Sequence, residues 1–74
     1  MKGNLIKRSL LVVGHPTSVA LEPEFWAVLD AVCAARGLTL SQLVSQIDES
    51  RAGRPLTSAC RVFALKACAD QRGS

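Results

Sequence analysis

The stretch that decides the fold is residues 17–45. It opens as Thr17-Ser-Val-Ala-Leu-Glu-Pro-Glu-Phe-Trp26 and closes as Gly37-Leu-Thr-Leu-Ser-Gln-Leu-Val-Ser45. Residues 17–21 alternate, with Val19 and Leu21 on one side and Ser18 and Ala20 on the other, the period of a half-buried strand. Glu22-Pro23-Glu24 then predicts a helix start. Proline at the first helical position loses no needed hydrogen bond, and the two acids meet the positive end of the helix dipole. Phe25, Leu29, Val32 and Cys33 follow at i, i+4, i+7 and i+8 as one apolar stripe, which Trp26 widens. Arg36 and Gly37 form a helix stop. Thr39 is a suitable N-cap for a second helix, with Gln42 at capping-box spacing, and Leu40, Leu43, Val44 and Ile47 give a second stripe.

Outward from this stretch the pattern is less definite. Residues 1–8 read as a flexible arm carrying Lys2, Lys7 and Arg8. Ser9 to Val13 has strand character. Gly14-His15-Pro16 is a breaker, so residues 9–21 are either a hairpin or two sequential strand pieces. Asp48 to Pro55 is polar and ends the second helix near Ser50. Thr57 or Ser58 can cap a third helix over 58–70, with Ala59, Val62, Phe63 and Ala67 inward and Arg61 and Lys66 outward. The expected boundaries are strand region 9–21 and helices 22–36, 40–50 and 58–70, all in a single domain.

The chain has 74 residues, of which 49% are hydrophobic, yet it holds one Trp, two Phe and no Tyr. A core this small is marginal alone, and a second copy is the economical way to cover so much apolar surface. The net charge of +3 suits an anionic partner. The basic residues gather at both ends, around an acidic middle that holds Glu22, Glu24, Asp30, Asp48 and Glu49. Cys33, Cys60 and Cys68 sit among apolar residues with no CxxC spacing, which suits free thiols in a reducing compartment. The apolar run Leu10–Val13 is too short to span a bilayer and does not read as a leader. A cytoplasmic protein with no membrane partner is expected.

Catalysis is not expected, since the convergent polar groups an enzyme needs are missing. His15 is the one histidine. Glu22 and Glu24 are explained by the helix dipole, Cys60 and Cys68 at i, i+8 cannot share a metal, and no glycine-rich phosphate loop occurs. No metal or cofactor is expected.

The residues of the opening stretch resemble a ribbon-helix-helix domain of the MetJ/Arc type, in which a Gly-Leu-Ser/Thr-x-Ser turn joins the two helices. Lys7-Arg8-Ser9, Gly14-His15, Thr17-Ser18, the Phe25-Trp26 pair and the segment from Leu56 to Leu65 extend the resemblance, to a small stand-alone bacterial branch. It implies a mainly α fold with a short N-terminal β-ribbon, an intertwined homodimer and an extra C-terminal helix. The implied function is sequence-specific DNA binding by a transcriptional regulator, a repressor acting as a homodimer with its ribbon in the major groove.

Carried over residue by residue, the resemblance puts Val19, Leu21, Phe25, Trp26, Leu29, Val32, Leu43, Val44 and Ile47 in a dimer core. Ser18 and Ala20 face the groove, with His15 or Pro16 at the outer end, so His15, Ser18 and Ala20 are the base-contact candidates. Thr39, Leu40 and Ser41 become a phosphate clamp at a helix N-terminus, and Lys7 and Arg8 add charge. Ser18 is the one polar group squarely on the groove face. Ala20 offers only a methyl contact, as to thymine. The alternative on the same scaffold is a protein-interaction module, an antitoxin or partner-binding dimer, with helix 58–70 as its surface.

Overall fold

The structure, a computed structural model, describes residues 4–73 and the side chains of residues 4–69. The first three residues of the expected arm lie outside it. Two strands, β1 (Ile6–Val12) and β2 (His15–Leu21), precede three helices, α1 (Pro23–Arg36), α2 (Leu40–Glu49) and α3 (Leu56–Gly73).

The strands form one antiparallel ribbon within the chain, pairing from Ile6↔Leu21 to Val12↔His15. The open choice over residues 9–21 therefore resolves as a hairpin, and its turn is Val13-Gly14. Both residues have positive φ, 51° and 80°. That is the two-residue primed turn, whose twist matches the strands it joins. Gly14 suits it; Val13, β-branched and left-handed, is strained there. Pro16 lies inside β2 on the free edge of the ribbon, where its missing N–H costs no ladder bond.

Register fixes the faces. Arg8, Leu10, Val12, Thr17, Val19 and Leu21 share the side turned to the helices. Lys7, Ser9, Leu11, Pro16, Ser18 and Ala20 share the outer side, because cross-strand partners point the same way. Val19 and Leu21 are 1% and 0% exposed.

Helix α1 starts with Pro23 at its first position and ends in Gly37 at φ 67°. The Leu38 N–H returns to the Cys33 carbonyl at 3.0 Å, completing a Schellman closure. Helix α2 begins in a full capping box. The Gln42 N–H donates to Thr39 Oγ1 at 3.0 Å, and the Thr39 N–H donates to Gln42 Oε1 at 2.8 Å. Helix α3 starts at Leu56, ahead of the expected Thr57 or Ser58 cap, with the Ala59 N–H bonded to the Pro55 carbonyl.

One continuous core joins ribbon and helices. Val12, Val19, Leu21, Trp26, Leu29, Val32, Leu43, Val44 and Ile47 pack with Ala59, Cys60 and Ala64 of α3, and Phe25 is half-buried against them. The side chains that the sequence reading places in a dimer core therefore lie in the core of one chain. Within the chain they are covered by β1 and α3. The Trp26 indole N–H reaches the Ile6 carbonyl at 2.7 Å, tying α1 to the open end of the ribbon.

Candidate nucleic-acid interface

The outer face of the ribbon reads, from turn to open end, Leu11/Pro16, Ser9/Ser18 and Lys7/Ala20. It holds one cation and no carboxylate. Ser18 and Ala20 fall on it as the alternation requires, Ser18 exposed and Ala20 half-buried. Ser9 stands directly across from Ser18, an outward hydroxyl the sequence reading missed. The signal was present: once Pro16 is known to pair with Leu11, parity puts Ser9 beside Ser18.

His15 does not join this face. It pairs with Val12 at the turn and shares the helix-facing side, where with Asp48, Arg51 and Thr17 it lines a shallow depression. The reason is parity, since residue 15 is out of phase with 16, 18 and 20.

Lys7 and Arg8 lie in β1, not in an arm, and they part company. Lys7 points outward and is exposed. Arg8 points toward the helices. Its guanidinium lies 4.6 Å from the centroid of the Trp26 ring and makes two bonds to the Asp30 carboxylate, at 3.0 and 3.2 Å. A planar cation stacked and bidentately paired in this way is held by its own chain.

The same holds for other cations. Arg61 donates to Glu22 Oε1 at 3.1 Å and lies 5.9 Å from the Phe25 ring. Arg51 binds Asp48 at 2.7 Å and the Arg54 carbonyl at 2.9 Å. Arg36 lies over Phe63 at 5.6 Å. Among the described residues, the cations outside ion pairs are Lys7, Arg36, Arg54 and Lys66. The Glu22 carboxyl is held below its ordinary value of 4.5, first by its own backbone N–H, against a smaller opposing effect of burial, and then by Arg61.

The start of α2 lies beside β1. The Leu11 N–H donates to Ser41 Oγ at 3.2 Å and the Val13 N–H to Ser45 Oγ at 2.9 Å. Two hydroxyls one helical turn apart thus satisfy two amides on the outer edge of the ribbon, which blunts that edge against pairing with another strand. Thr39 and Leu40 complete the first turn of α2. The Ser41 hydroxyl, a candidate for phosphate contact, accepts from β1 and keeps its own O–H to donate, and the amides of this helix start carry the positive end of the dipole. A groove lined by Leu11, Gly14, Leu38, Ser41 and Gln42 runs between the turn and α2.

The thiols are free. Burial raises Cys60 to about 11, and burial followed by the Asp30 charge raises Cys33. Neither is a reactive thiolate at neutral pH. Among the described residues no cluster of ligating side chains could hold a metal ion, and no single helix is long and apolar enough to cross a membrane.

No curated protein and no solved structure matches the chain significantly. A family model described as a ribbon-helix-helix domain matches residues 5–68. It spans the ribbon, α1, α2 and most of α3, in the order the structure shows. The chain therefore belongs to the ribbon-helix-helix domain family, which generally includes DNA-binding transcription regulators and antitoxins.

Proposed function

We propose that this protein is a sequence-specific DNA-binding transcriptional regulator, a cytoplasmic repressor that acts as a homodimer with the outer face of its ribbon in the major groove. The observation that carries the reading is that face itself. It is two strands wide, free of carboxylates, and presents Lys7, Ser9 and Ser18 outward. A two-stranded element fits the major groove, and serine hydroxyls can donate to or accept from base edges. Beside it the α2 N-terminus, Thr39 to Ser41, is tied to β1 and suits a phosphate of the flanking backbone. A homodimer is supported by the family's habit of dimerising. Its contact surface is to be sought among the exposed apolar residues Leu5, Ile6 and Leu65, away from the groove-facing side of the ribbon.

The test is selection of duplexes from a random pool by the purified protein, followed by fluorescence anisotropy on the enriched sequences. The reading expects enrichment of a common palindromic or tandem site, and weaker specific binding by a Ser9→Ala/Ser18→Ala variant. Enrichment of nothing, together with no binding at low salt, would sink it.

A second reading has an observation of its own. Leu65 on α3 is 62% exposed, and three arginines are neutralised within the chain. Both suit a protein-interaction module, an antitoxin or partner-binding dimer that uses α3. Co-purification of a stoichiometric protein partner, lost in Leu65→Ser, would favour it over DNA binding.

A further inference from the structure

The outer face is more apolar than a polar base reader needs. Leu11 is 57% exposed and stands directly across from Pro16, and Ala20 supplies a methyl toward the other end. A leucine on the outer side of a two-stranded ribbon, partly covered along the groove beside α2, still leaves more than half of its surface to solvent. It is nonetheless held firmly, because the Leu11 N–H is bound by Ser41 and the neighbouring Val13 N–H by Ser45. The side chain thus projects from a backbone fixed to a helix. Pro16 opposite has a ring in place of a mobile side chain. Between them and Lys7 lie the Ser9 and Ser18 hydroxyls.

Among the major-groove edges of the bases, one group is apolar, the C5-methyl of thymine. Adenine and guanine present donors and acceptors there, and cytosine a donor beside an unmethylated C5–H. A face that sets Leu11 and Pro16 at one end, Ala20 at the other and no carboxylate between them complements thymine methyls with a phosphate or guanine contact for Lys7. The alternatives, a lipid surface or an apolar protein groove, suit it less. The apolar side chains are broken up by the serine pair, and Lys7 is the one charge on the face. We propose that the ribbon reads thymine through its C5-methyl, with Leu11 and Pro16 as the specificity-determining residues. This rests on the DNA-binding reading above and goes beyond it in naming the base and the atom.

The experiment resynthesises the duplexes selected by the full-length protein with deoxyuridine in place of every thymidine, which removes the methyl and keeps all base pairing. Anisotropy then compares the two duplexes. The expected result is tighter binding to the thymine duplex by about fourfold for each methyl covered, the worth of burying one methylene-sized group. A Leu11→Ser variant, whose outward position leaves the core intact, should lose most of that difference while keeping its binding to the uracil duplex. Equal affinity of the wild-type protein for both duplexes overturns the proposal and leaves DNA binding standing. Failure to bind either duplex overturns both. Retention of the full difference by Leu11→Ser, with unchanged thermal melting, overturns the role given to Leu11.

Discussion

Replacing Val13 with asparagine should stabilise the protein, although it swaps an aliphatic residue for a polar one. Val13 takes the first central position of the hairpin turn at φ 51°. An L-residue in the left-handed region costs roughly 1–2 kcal/mol, and a β-branched one is the worst case. Asparagine tolerates that region and is, with glycine after it, the preferred pair for this turn. Little is lost in exchange. Val13 is 52% exposed and belongs neither to the core nor to the apolar shell packed against it. Its N–H to Ser45 is a backbone donor that asparagine keeps. A net gain of about 1 kcal/mol follows, which for a domain of this size raises Tm by about 4–8 °C. Circular dichroism melting and urea unfolding would measure it, and Val13→Gly serves as a control that relieves the same strain with a larger entropy cost. An unchanged or lowered Tm in Val13→Asn would refute the turn geometry, and with it the register that sets Ser9, Leu11, Pro16 and Ser18 on one face.

Three further outcomes are expected. Trp26→Phe removes the indole donor to the Ile6 carbonyl and should cost about 0.5–1.5 kcal/mol in urea unfolding, beyond any repacking. Ser41→Ala with Ser45→Ala frees the Leu11 and Val13 amides; hydrogen exchange at those two should quicken, with about 0.5–1.5 kcal/mol lost per bond. The Glu22 carboxyl is depressed in the folded state, so its contribution is present above pH 4.5 and is lost as pH falls through the folded value. Melting between pH 7 and pH 3 should therefore show a steeper acid loss in the wild-type protein than in Glu22→Gln.

The helical part of this fold was legible because its signals are local. Pro23, Gly37, and the Thr39–Gln42 pair each act within a turn of their own position, and the two apolar stripes are strong. The ribbon was legible in part, as alternation in β2 and strand character over residues 9–13, while the start of β1 and the turn were not. Val13 hid the turn, since a β-branched residue contradicts the local preference at that place, and Gly14-His15-Pro16 offered a more obvious breaker one step later. With the turn misplaced, parity failed for His15, and Ser9 was overlooked. Arg8 was unreadable for a different reason. Its partners, Trp26 and Asp30, are remote in sequence, and only the fold brings them under its guanidinium.

The divergence of Lys7 and Arg8 gives the most direct test of the claim that the outer ribbon face binds DNA. The measurement is the salt dependence of affinity for a selected duplex, taken for the wild-type protein, Lys7→Ala and Arg8→Ala. Each phosphate-bound lysine contributes about −0.9 to the slope of log K against log salt concentration. Lys7→Ala in a homodimer should therefore flatten that slope by about 2, whereas Arg8→Ala, whose charge is spent on Asp30, should leave it unchanged while lowering Tm. A slope that responds to Arg8 and not to Lys7, or an absence of binding at low salt in the wild-type protein, would contradict the account.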